Sequence, residues 1–302
     1  MATPRPVRGL RASSRLRDAA PVFLAARLAD VEQHRRAVER RLLPGAVHDL
    51  RVSLRRLRGA LRLFGKGAAA REATAEVRRF QGALGPLRDL HVQLARLTRL
   101  QSGLPPAEAA VVAQVRAALN ARRASGVESA RSALDRWARR GRPLLATLEG
   151  LRPRGRLGGH RMRNRLVRQL EALEDRVGAA LADPGPEAMH RLRIAVKRFR
   201  YGLEFIEPAM PGETAEIRTE LVPLQTALGD LHDLDVQIAL VDRHAADDAL
   251  PAAADLLRRL AADREREAGE LTAALVHWEE EATALRAQVL LGSSPVPDRP
   301  ER

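Results

Sequence analysis

"VHDLRVSLRRLRGALRLF", Val47 to Phe64, decides the fold, because the chain says it again as "MHRLRIAVKRFRYGLEFI", Met189 to Ile206. In both, a histidine heads a segment whose apolar residues recur every three or four positions, the period of a helix with one buried face. With His48 at zero and about 100° per residue, Arg51, Arg55, Arg58 and Arg62 share one stripe with the histidine. Leu50, Leu54, Leu57, Leu61 and Phe64 fall opposite, as the core-facing stripe of an amphipathic helix does. The second segment repeats the plan, with His190, Arg193, Lys197 and Arg200 on one line and Leu192, Val196, Phe199, Leu203 and Ile206 behind.

Two further landmarks keep step with this pair. "QGALGPLRDLHVQLARL" from Gln81 matches "QTALGDLHDLDVQIALV" from Gln225, Trp137 matches Trp278, and Arg123 falls opposite Arg264. The offsets agree within a few residues, so the chain reads as two copies of one unit of about 140 residues. In the first copy, helices are expected over Val22 to Leu42, Ala46 to Phe64, Arg71 to Leu100 and Ala107 to Leu148, the last two each interrupted, with Gly85 and Pro86 inside the third. The second copy follows the same plan from Arg161, after the linker "RPRGRLGGH". The expected fold is all-α, two pseudo-symmetric four-helix bundles. Its parts are a basic N-terminal tail over residues 1–20, a first repeat over 21–150, a second over 151–291 and a C-terminal tail over 292–302.

Composition agrees with helices. The apolar 45% of the 302 residues is mostly Ala, Leu and Val, and aromatics are only 3%. The net charge is +14, beyond what solubility needs, which points to a polyanionic partner. Of 52 basic residues only Lys66 and Lys197 are lysines. A GC-rich genome and a need to grip phosphate with guanidinium forks both produce such a skew. The absence of cysteine excludes disulfides, thiol catalysis and Cys-ligated metals, and fits a reducing compartment. No window reaches the roughly 18 apolar residues of a membrane helix. The N-terminus is read as a loose basic tail on a cytoplasmic protein, since its apolar stretch from Ala19 to Ala26 is short and Arg27 closes it.

Four or five like charges at helical neighbour spacing repel one another, so something must offset them. A cationic rail about 20 Å long, by the rise of roughly 1.5 Å per residue, suits a linear polyanion better than a small phosphometabolite. The chain has no GxxxxGK[ST] and no GxGxxG phosphate loop. Nucleic acid and inorganic polyphosphate both qualify. Single-stranded nucleic acid sites interleave cations with stacking aromatics, whereas this rail carries only Tyr201, and Phe64, Phe199 and Phe205 read as core. The reading favours a ligand that is all phosphate and no base, with a nucleic-acid or nucleoid-binding protein as the alternative. A bound polyanion also favours charged histidine, so binding is expected to tighten as pH falls toward about 6.

At these residues the chain resembles the CHAD family, the conserved histidine α-helical domain. "HRLRIAVKRFRY" (His190 to Tyr201) and "HDLRVSLRRLR" (from His48) look like its signature helix, and "LGDLHDLDV" and "LGPLRDLHV" like its second motif. The resemblance covers about residues 20 to 291. It implies two four-helix bundles with a basic surface and central channel, and binding of inorganic polyphosphate, in bacteria often at polyphosphate granules. The implied ligand contacts are His48, Arg51, Arg55, Arg56 and Arg58, then His190, Arg193, Lys197, Arg198, Arg200 and Tyr201, with Arg123 and Arg264 as additions. Many family members carry a triphosphate-tunnel domain ahead of this one. The chain has no E-x-E-x-K for that domain's metal site, so its phosphohydrolase activity is not expected.

A metal-dependent phosphohydrolase is the remaining alternative, because "HD" occurs at His48-Asp49 and His232-Asp233. Such a site needs further converging ligands, and His34, His91, His160 and Asp235 are the residues to recruit. The two pairs are not equivalent in the repeats: Arg191 stands opposite Asp49, and Arg88 opposite His232. The acid kept in both copies, Asp89 and Asp233, is read as anchoring a helix start or holding a rail arginine. No Ser-His-Asp arrangement can be assigned. The expectation is a non-catalytic binding protein without metal or cofactor.

Overall fold

The computed structural model describes residues 3–146, 148, 151, 153–209, 211–245 and 250–291. The expected C-terminal tail, 292–302, lies outside the described residues. The elements are helical throughout: α1 (Leu16–Arg40), α2 (Pro44–Phe64), α3 (Gly67–Ala83), α4 (Gly85–Gln101), α5 (Pro106–Ala121), α6 (Arg123–Arg136), a π turn (Trp137–Gly141), α7 (Arg142–Ala146), α8 (His160–Ala182), α9 (Pro186–Ile206), α10 (Pro211–His244) and α11 (Leu250–Leu291). Among the described residues there is no strand, only an isolated bridge between Arg15 and Arg156. None of the described helices is long and apolar enough to cross a membrane.

The chain divides into two compact units. The first holds the residues up to Thr98 together with Arg116–Leu157, and the second holds Arg99–Val115 together with the chain from Gly158 onward. In the first, α2 packs on α1 and α3, and α6 packs on α3 and α1. In the second, α8, α9, α10 and α11 close a ring in which each packs on the next and α11 returns to α8. Residues 99–115, read from the sequence as part of the first repeat, group with the second unit. There Arg259 of α11 forks onto the buried Glu108 of α5 at 2.9 and 3.1 Å, which holds that carboxyl below its usual range.

The two signature helices are both 21 residues long and both begin at proline, Pro44 and Pro186, where the missing N–H is harmless and the fixed φ suits a first turn. Their apolar stripes are buried as expected. Leu50, Leu54, Leu57 and Leu61 meet Val31, Val77, Phe80 and Trp137 in the first core, while Leu192, Val196, Phe199, Leu203 and Ile206 are fully enclosed in the second unit. At about 1.5–3 kcal/mol for each buried large side chain, these stripes dominate the stability of both helices.

The third helix of the first unit breaks where the sequence places Gly85 and Pro86. Pro86 has no N–H to give the carbonyl four residues back, so the helix ends at Ala83 and restarts at Gly85. Side chains take up the carbonyls at the break: Arg51 Nη1 donates to Gln81 O at 2.7 Å, and Ser129 Oγ to Ala83 O at 3.2 Å. α10 carries Asp230 at the place matching Pro86 and runs through without a break.

The fourth helix of the first unit is interrupted by the π turn at Trp137. This ring is fully buried, stacks on Phe80 at 4.9 Å between centroids, and donates its N–H to Glu32 at 3.0 Å. Gly141 closes the turn because a Cβ there would collide with the Trp137 ring.

The N-terminal segment is not loose. Arg5 pairs with Asp30 at 3.3 Å, Arg27 donates to the Arg5 carbonyl, and the backbone N–H groups of Leu16 and Leu157 donate to Gly155 O at 2.8 Å and Ser14 O at 2.9 Å. These bonds start α1 six residues before the expected Val22, with Pro21 inside its first turns.

Candidate functional site

In the first unit the line His48, Arg51, Arg55 of α2 is joined by Arg88 and His91 of α4 and by Arg123 of α6. Arg88 and Arg55 lie close enough to His48 to oppose its protonation, and Arg88 and Arg123 do the same to His91. Both imidazoles are therefore held below their ordinary range, burial being the largest cause in each case. Burial likewise lowers the Arg51 guanidinium, and the nearby Asp89 works against it. The bond from Arg51 to Gln81 O fixes its side chain in place, and Gly85 leaves room for it, since a Cβ there would lie 3.2 Å from Arg51 Nη1.

The second unit assembles the matching positions differently. His190, Arg193 and Lys197 of α9 face His232 and Asp235 of α10, and Asp235 accepts from Arg264 Nε of α11 at 2.6 Å. The His190 and His232 rings stand 5.6 Å apart. Burial, then Arg193 and His190, push His232 down to about 4, so it is neutral at pH 7. Beside it opens a pocket of about 300 Å³ lined by His232, Asp235, Val236, Leu240, Arg243 and Pro186.

Two imidazoles in one cluster and a third in the other are held down first by burial and then by the neighbouring cations, whose charge an anion would relieve. The structure brings His48, Arg51, Arg55 and Arg123 together in one unit and His190, Arg193, Lys197 and Arg264 in the other. Arg58 is half-buried and Arg198 exposed. Arg56 and Arg200, expected among the ligand contacts, are instead buried, at 6% and 7% exposure, because neighbouring helices cover that flank of α2 and α9. The Arg200 guanidinium lies 5.6 Å from the centre of the half-buried Tyr201 ring.

Sequence reasoning did not place Arg88, His91, His232 and Asp235 in these clusters. The signal was present, because 88/232 and 91/235 are matched positions three apart, one helical turn, in the second repeated motif. Among the described residues no three His, Asp or Glu side chains come together as metal ligands would.

The sequence profile of the CHAD domain matches residues 22–242. The chain belongs to the CHAD family. Two solved structures share its fold. The CHAD domain from the plant Ricinus communis superposes with a TM-score of 0.65 at 24% identity, over 96% of both chains. The protein PptA from Streptomyces chartreusis gives a TM-score of 0.63 at 21% identity, over 90% of this chain and all of its own. At such identities the likeness establishes the CHAD fold alone. The comparison with curated proteins gave no match.

Proposed function

We propose that this CHAD protein binds inorganic polyphosphate through the two cationic clusters, without catalysis and without a cofactor. The observation that carries the reading is convergence: in each unit three different helices deliver basic side chains, arginine and histidine in the first and arginine, lysine and histidine in the second, to one place, where burial and then the neighbouring cations depress His48, His91 and His232. A phosphate chain brings one charge per unit and lets guanidiniums fork onto successive oxygens, with binding driven by counterion release. The clusters hold no exposed aromatic ladder for bases among the described residues, only Tyr201 beside Arg200. The role that follows is to target the protein to, or organise, polyphosphate granules in the cytoplasm.

The deciding experiment is a competition titration at about 0.15 M salt, where nonspecific electrostatics are attenuated. Long-chain polyphosphate is set against single- and double-stranded DNA of equal charge. Preference for polyphosphate by tenfold or more supports the reading. Equal or tighter DNA binding replaces it with a nucleic-acid-binding function.

A further inference from the structure

The two clusters occupy matched positions but differ in chemistry. In the first unit, α4 and α6 contribute Arg88, His91 and Arg123 beside His48, Arg51 and Arg55, and two carboxylates are in range, Asp49 acting on His48 and Asp89 on Arg51. In the second unit the same places hold His232, Asp235 and Arg264 beside His190, Arg193 and Lys197. One guanidinium has become an imidazole, and one imidazole has become a carboxylate that sits directly on Arg264. The second cluster therefore holds a carboxylate acceptor, Asp235 on Arg264, where the first has His91 beside Arg123, and an imidazole where the first has the Arg88 guanidinium.

An acceptor inside an anion site repels a fully ionised phosphate and accepts from one that still carries a proton. Internal phosphates of a polyphosphate chain bear one strongly acidic charge each and no proton. A terminal phosphate has a second ionisation near neutral pH, about 6 in a phosphomonoester, so it alone can present a P–OH. Neutral His232 and the Asp235 carboxylate both line the open pocket of about 300 Å³, which also exposes Arg243.

Resting on the polyphosphate reading, we infer that the second unit is an end-recognition site: Asp235 and His232 accept from the protonated terminal phosphate while Arg193 and Lys197 hold its charge. The first unit, which has Arg88 and His91 at those two places, takes internal phosphates of the chain. Protonation of His232 at low pH, favoured by Asp235 and opposed by Arg193, His190 and Lys197, turns this acceptor into a donor.

The test compares linear hexaphosphate with cyclic hexametaphosphate, which has no ends, by calorimetric titration at pH 7. The proteins are wild type, His232→Arg with Asp235→His, which gives the second cluster the composition of the first, and Asp235→Ala as a milder change. Circular dichroism checks each fold. Wild type is expected to bind the linear probe at least fivefold more tightly. The double variant loses most of that preference by gaining affinity for the ring, and Asp235→Ala at least halves it. An unchanged preference in both variants means that charge alone sets it, and overturns end recognition. Equal weakening for both probes also overturns it, making Asp235 a positioning residue for Arg264. Binding of neither probe by wild type overturns the polyphosphate reading itself.

Discussion

His190 and His232 face each other across two helices of the second unit with ring centroids 5.6 Å apart and planes inclined by 43°. Burial first, then Arg193 and this closeness to His190, hold His232 down to about 4. In the unfolded chain an imidazole takes its proton near the ordinary value of about 6.5. Between those two values the unfolded state binds more protons, so stability is full above about pH 6.5 and declines as pH falls toward 4. Melting curves of the ligand-free protein from pH 7.5 to 4.5 should record this loss, and His232→Gln should reduce its slope.

The same proton bookkeeping governs the ligand. A bound polyanion raises the affinity of His48 and His91 for protons, both being held below their ordinary range. Binding should then take up protons and keep tightening below pH 6 rather than levelling off there. Titrations in buffers of different ionisation enthalpy count the protons directly; no uptake between pH 5 and 6.5 would remove the histidines from the site.

Arg55 and Lys197 are half-buried on the rail side of α2 and α9, away from the apolar stripes. Reversing both, Arg55→Glu with Lys197→Glu, should abolish polyphosphate binding while the helical circular dichroism stays unchanged. Affinity within a few-fold of wild type would mean that the rails are the wrong surface.

Arg51 has two duties. Arg51→Met should weaken binding and also cost about 1–3 kcal/mol in urea denaturation, because the Gln81 carbonyl beside the Pro86 break loses its donor. Arg55→Met should weaken binding with little effect on stability. If both variants denature alike, the bond to Gln81 contributes nothing to the fold.

Gly141→Ala should destabilise the first unit by about 1–3 kcal/mol, since the new methyl would press on the Trp137 ring that the π turn seats against Phe80. Trp fluorescence should report the displaced ring, with Trp278 as the unperturbed reference.

The helices, the repeated histidine-arginine line and the break at Pro86 were legible in the sequence, because each depends on neighbours within about one turn: apolar period, a missing N–H, like charges at helical spacing. Which flank of each signature helix is covered was not. By azimuth, Arg56 and Arg198 are equivalent, as are Arg58 and Arg200, yet Arg56 and Arg200 are the buried ones. Val52 is likewise buried where its match Ile194 is 38% exposed. A helical wheel gives the centre of the apolar stripe, but the width of the covered arc is set by the two neighbours packed on either side, α1 and α3 for α2, α8 and α10 for α9. The clusters were hidden for the same reason. Arg88, His91, His232 and Asp235 lie on other helices, far along the chain from the histidines they face, and only packing brings them within electrostatic reach.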